Sequence, residues 1–104
     1  MKKTTIVVDE ELADLLPVYL QNRRDELERL PALLKQGDFT QLQGIGHRLR
    51  GSGGGFGLDF LTELGKRMEA AGSSADRQAL AEQVSELRAF LESLQIEFAH
   101  VGQS

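Results

Sequence analysis

Residues 47–57 read HRLRGSGGGFG: a histidine, two arginines and five glycines in eleven positions. Glycine weakens a helix, so the stretch first suggests a loop. The apolar residues around it argue otherwise. Leu42, Ile45, Leu49, Ser52 and Phe56 recur every three or four positions, the period of a helix with one buried stripe. At about 100° of rotation per residue, His47 lies about 200° from both Ile45 and Leu49. It therefore stands on the face opposite the core. The same arithmetic places Gln43, Gly44, Arg50, Gly51 and Gly54 within about 60° of it. A histidine thus stands over a nearly bare backbone, with Arg50 one turn away. Gly44, Gly46, Gly51, Gly53 and Gly54 each cost on the order of 1 kcal/mol relative to alanine. Access of another macromolecule to His47 accounts for that loss, while Gly53 and Gly55 also suit close helix packing.

Working outward, the helical period holds from Asp9 to the end of the chain. Leu12, Leu15 and Leu16 suggest a short first helix, and Pro17 suits the opening turn of a second. Leu16, Leu20, Leu27, Leu30 and Leu34 line that second helix, which ends near Gly37 with Pro31 expected to kink it. Asp38 is placed to cap the helix that carries His47. Gly57 breaks it; Phe60, Leu61, Leu64 and Met68 follow on another helix, which stops at Gly72. Ser73 or Ser74 opens the last one. Its stripe, Leu80, Val84, Leu87, Leu91, Leu94 and Phe98, steps 4-3-4-3-4. The fold class is all-α: an antiparallel up-and-down four-helix bundle with a short extra N-terminal helix and an extended N-terminal arm. One domain is expected over residues 1–104, with the arm at 1–8 and the bundle at 9–104. The arm is β-branched, yet a lone strand has no visible partner.

A chain of 104 residues holds one modest core and leaves no room for a nucleotide fold plus a catalytic domain. It is 40% hydrophobic and 27% charged, which fits a globular protein. The net charge of −4 disfavours non-specific nucleic-acid binding. With no cysteine there are no disulfides, thiolate metal sites or cysteine nucleophiles. The apolar run Ile6 to Val8 is too short for a signal-peptide core or a membrane span. A soluble, cytoplasmic monomer is expected.

An unperturbed imidazole is largely neutral at pH 7, so one ring nitrogen offers a lone pair for nucleophilic attack. Phosphorus is the electrophile that suits this face. A phosphoryl group adds about two negative charges, which Arg50 can offset, and Gln43 at i−4 is a candidate to orient the ring. Gly51 leaves room for the group. Gly44, Arg48, Gly54 and Leu58 are the expected partner-docking surface. Ser52, in the core stripe, is expected to bond its own helix backbone. The charged residues from Arg23 to Arg29 read as a solvated face, and His100 as a helix-terminal surface residue.

Gly46-His47-Arg48-Leu49-Arg50-Gly51-Ser52, then Gly53-Gly54-Gly55-Phe56-Gly57, then Leu61-Thr62-Glu63-Leu64 through Met68-Glu69, resembles the histidine phosphotransfer (HPt) domains of bacterial phosphorelays. Their signature is roughly A-H-x-L-K-G-S, a few small residues, an apolar residue and glycine, then a helix of the form L-x-x-L-x-x-x-L-E. Glycine here stands for the usual alanine and arginine for the usual lysine. The resemblance implies a four-helix bundle whose His47 takes a phosphoryl group from a phosphoaspartate on a receiver domain, or from a hybrid sensor histidine kinase, and passes it to another receiver. It implies no cofactor on this chain, the Mg²⁺ belonging to the receiver, and no labelling of the chain by ATP.

The rival readings have weaker support. A phosphate-binding nucleotide loop needs a preceding strand and a G-K-[S/T] ending, both missing from GSGGGFG. An RNA-binding element needs a basic chain or a sheet with exposed aromatics. Metal binding lacks a second ligand at i+3 or i+4 from His47. A helical adaptor that docks a signalling partner without chemistry is the remaining alternative.

Overall fold

The computed structural model describes residues 3–100. Four helices form its body: α1 Leu16–Gln36, α2 Phe39–Ser52, α3 Asp59–Ser73 and α4 Arg77–Ser93. Each packs on the next in sequence, and α1 also meets α4, which closes the ring of a helical bundle. Leu30, Leu42, Leu49, Leu61, Leu64 and Leu80 are fully buried at its centre. No helix among the described residues is long and apolar enough to cross a membrane.

The helix boundaries follow local chemistry. Pro17 sits in the first turn of α1, where its missing N–H costs nothing, and α1 continues through Pro31 to Gln36. Gly37 ends it in the left-handed region, φ +70°, its N–H returning to the Leu33 and Leu34 carbonyls. Asp38 caps α2 by accepting the Gln41 N–H at 3.2 Å. Past Ser52 the chain tightens into a 3₁₀ turn, Gly53–Phe56, and Gly57 breaks it at φ +72°. Phe56 turns inward and packs on Tyr19 with ring centroids 4.5 Å apart.

Four expectations about the fold change. The N-terminal arm is a strand, β1 Thr4–Asp9, paired in parallel with β2 Leu94–Ala99, in the register Thr4 to Leu94 and Asp9 to Ala99. The last helix therefore stops at Ser93, and Leu94 and Phe98 belong to β2. Leu94, Ile96 and Phe98 also fit a period of two, and Ile96 never fitted the helical stripe. The extra N-terminal helix is a 3₁₀ turn, Glu10–Leu12, capped by Asp9; none of its residues is buried, and Leu15 is exposed. Finally, α4 is capped by Asp76, whose carboxylate accepts the Ala79 N–H at 3.1 Å, and not by a serine. Val8 is the buried anchor of β1.

Ala75, between α3 and α4, has φ +55°. A β-carbon in this region is strained, so Ala75→Gly is expected to raise stability by about 0.5–1 kcal/mol. A higher thermal midpoint for the variant is the check; an equal or lower one contradicts it.

Arg67 on α3 grips Glu86 on α4 in a two-pronged contact, 2.9 and 2.8 Å. The hydrogen bond from Arg67 holds the Glu86 carboxyl below its ordinary 4.5. A depressed carboxyl stabilises the fold above its unfolded value, and the contribution disappears as pH falls through the folded value. Both side chains are substantially exposed, so solvent screening keeps the contribution well under about 1 kcal/mol. In urea unfolding, Glu86→Gln is expected to be slightly less stable than the parent at pH 7, with the gap shrinking as pH falls below 4.5. A gap that widens as the pH is lowered contradicts this.

Candidate functional site

Leu42, Ile45 and Leu49 fix the rotation of α2 by pointing into the core, which turns His47 outward with 64% of its side chain exposed. The partner of the ring comes from α3. Leu61, Leu64 and Met68 bury one side of that helix, and Glu69, the next residue, stands at its flank.

The two helices approach at their glycines. A β-carbon added at Gly46 would lie 2.5 Å from the Glu69 backbone nitrogen, and one at Gly65 would lie 2.4 Å from the Arg50 nitrogen. Real β-carbons do not come so close, so only glycine allows this spacing. Because α3 runs this near, the short Glu69 side chain reaches two residues of α2. Its Oε2 lies 2.9 Å from His47 Nδ1, and its Oε1 lies 2.9 Å from Arg50 Nη1. Glu69 is 23% exposed and Arg50 47%.

An ionised carboxylate only accepts hydrogen bonds, so Nδ1 is the protonated ring nitrogen. Nε2 then carries the lone pair, and it makes no hydrogen bond among the described residues. The site is an oriented imidazole with one nitrogen anchored and the other open, flanked by a guanidinium on the same carboxylate.

The expected site residues divide. His47 and Arg50 come together, through Glu69. Gln43 does not orient the ring; its backbone packs against Gly72, where an added β-carbon would meet Gln43 Cα at 2.8 Å. Gly51 faces open space, Gly44 and Gly54 are only loosely approached, and Gly53 is packed against Leu58 and Leu61. Gly55 is open as well and serves no packing. Leu58 is fully buried and cannot line a docking surface; its side chain fills the core below the start of α3. The exposed apolar residue nearby is Phe60, stacked on Phe90 with centroids 4.5 Å apart. These two rings and Lys3, Thr4, Ile6 and Ser93 line a groove of about 680 Å³ that shares no residue with the histidine site.

Beneath the other flank of α2 the reading of a solvated face from Arg23 to Arg29 fails for Arg23 and Glu26, and holds for Arg24, Asp25, Glu28 and Arg29, which are exposed. Arg23 and Glu26 are about nine-tenths buried and pair at 2.8 Å. Arg48, half-exposed, adds a longer contact to Glu26 at 3.4 Å. Ser52 accepts from Arg23 at 3.3 Å, is 2.9 Å from the Tyr19 hydroxyl and donates to the Arg48 carbonyl, its own helix backbone, at 2.8 Å. Spaced three apart on α1, Arg23 and Glu26 look like an ordinary surface pair until α2 covers them. His100, at the end of β2, lies 3.0 Å from Glu10. No group of three or more acidic, histidine or cysteine side chains suited to a metal occurs among the described residues.

Glu69 is the site residue that helix rotation alone does not find. Its one signal is its place at the end of the L-x-x-L-x-x-x-L-E pattern, since the contact needs Gly46 and Gly65 to set the distance between helices.

Fold and site together define a helical domain that displays an oriented imidazole on the outside of a bundle. Compared with protein families, the chain matches the Hpt domain over residues 14–97, and it belongs to that family. No curated protein and no solved structure gives a significant match. The Hpt domain serves histidine phosphotransfer in two-component and phosphorelay signalling, where it interacts with receiver domains and kinases.

Proposed function

We propose that His47 is the phosphoacceptor, taking a phosphoryl group from a receiver-domain phosphoaspartate, or from a kinase, and relaying it to another receiver. The observation that carries this reading is the Glu69 contact, which favours Nδ1–H as the donor and so supports Nε2, on an exposed ring, as the nucleophile. In the transfer the aspartyl O–P bond breaks as the Nε2–P bond forms, and the aspartate leaves as its carboxylate. Glu69 holds the ring and accepts from Nδ1–H as positive charge develops on the imidazole. Arg50 is the cation within reach of the arriving group. The receiver supplies the Mg²⁺ and the aspartate, and this chain binds no cofactor.

Gly51, Gly44 and Gly54 give the receiver room to approach, and Arg48 lies on the docking face. A cytoplasmic monomer with helices running up and down, reached through the short connections between them, completes the reading. Nucleic acid and membrane are not partners.

The test is to incubate the chain with phosphorylated receivers and to follow acid-labile, base-stable phosphate. Label should move to the chain and onward to a second receiver, and ATP alone should label nothing. Docking of a receiver without label transfer would favour the adaptor.

A further inference from the structure

Glu69 divides its two oxygens between the nucleophile and the cation that is to meet the phosphoryl group. Arg50 is therefore engaged before any phosphoryl group arrives. Resting on the reading of His47 as phosphoacceptor, we propose that phosphorylation hands Arg50 over from the Glu69 carboxylate to the phosphoryl group, and that Glu69, by competing for Arg50, keeps phosphohistidine ready to discharge.

The charges give the direction. Before transfer, the Glu69 carboxylate and the Arg50 guanidinium are 2.9 Å apart and compensate one another. A phosphoryl group on Nε2 brings about two negative charges to the same side of α2. Arg50, one turn along and half-exposed, can turn to it without passing through the core. Glu69 cannot leave: it is the less exposed of the three and bound to Nδ1–H. It remains as a fixed negative charge close to the phosphoryl group, and repulsion between them raises the free energy of the phosphorylated state. The other charged groups of this part of α3 are Lys66 and Glu63, which pair with each other at 3.2 Å, and Arg67, which is held by Glu86 on α4 at 2.8 Å. On the far flank Arg48 is held by Glu26. Among the described residues no second cation is paired with Glu69. Glu69 is thus a positioning residue with a second effect on how long the phosphoryl group stays.

The experiment needs no receiver. Phosphoramidate phosphorylates imidazole directly, its P–N bond breaking and ammonia leaving as the Nε2–P bond forms. With the full chain so treated, the lifetime of the phosphohistidine and the pH titration of its ³¹P resonance are measured. Glu69→Gln keeps a hydrogen-bond acceptor for the ring and removes the charge; it should lengthen the lifetime several-fold. Arg50→Ala should move the ³¹P titration midpoint up by about half a pH unit, because the cation that favours the doubly charged phosphoryl is gone. A ³¹P midpoint that Arg50→Ala leaves unchanged shows that Arg50 stays on Glu69 and overturns the handover. A lifetime that Glu69→Gln leaves equal or shorter overturns the competition. Failure of the underlying reading looks different: no phosphohistidine forms at residue 47 in the unaltered chain.

Discussion

A His47→Gln variant is expected to lose phosphoryl uptake from phosphorylated receivers by on the order of a thousandfold or more, because it removes the nucleophile itself. Glutamine can still reach the Glu69 carboxylate with its amide N–H, yet it has no lone pair basic enough to attack phosphorus. The side chain is largely exposed and supports no core contact, so thermal stability should change by no more than about 0.5 kcal/mol. The combination separates chemistry from folding. His100→Gln is the control, because its ring stands at the end of β2 against Glu10 and not beside Arg50. Uptake that survives His47→Gln and falls with His100→Gln would move the site to the other end of the chain.

The second large effect concerns how the site is built. Gly65→Ala places a methyl group 2.4 Å from the Arg50 nitrogen and 2.6 Å from the Gly46 carbonyl oxygen, both of them backbone atoms. A flexible side chain could give way there; two helix backbones cannot without moving apart. The expected loss is about 2–4 kcal/mol, the range of an overpacked core. The separation that follows should also draw Glu69 away from His47 and Arg50, so uptake should fall in whatever fraction still folds. Gly51→Ala is the counterpart. That position is helical and meets nothing within 4 Å, so alanine should raise stability by up to about 1 kcal/mol. If Gly51 serves access, the same variant should transfer more slowly with a receiver while reacting normally with phosphoramidate. Equal melting curves for Gly65→Ala and the parent would refute the close approach of α2 and α3.

What was legible in the sequence was local. The rotation of α2 could be read because Leu42, Ile45 and Leu49 keep strict helical spacing and Asp38 marks the start; Gly57 ends the 3₁₀ turn that follows the helix. The glycines carried two meanings that sequence could not separate: Gly51 and Gly54 leave open space, whereas Gly46 and Gly65 bring two backbones together. That difference depends on which side of α2 meets α3, and so does the role of Glu69, twenty-two residues from His47. The strand pair was hidden for a similar reason. Thr4–Asp9 meets its partner only at residues 94–99, and a parallel pairing across the whole chain leaves no hairpin signal between the strands. Within β2, Leu94 and Phe98 satisfy a helical stripe as well as an alternating one. Leu58 was misplaced because an apolar residue beside five glycines looks exposed, although the 3₁₀ turn folds it under.

Nε2 of His47 is the atom proposed to take the phosphoryl group. The most direct test of this is long-range ¹H–¹⁵N NMR of the uniformly ¹⁵N-labelled chain before and after phosphorylation by a receiver. The free ring is expected to show Nδ1 protonated and Nε2 bare, and phosphorus is then expected to couple to Nε2 of His47. Phosphorus coupled to Nδ1, or appearing on His100, would contradict it.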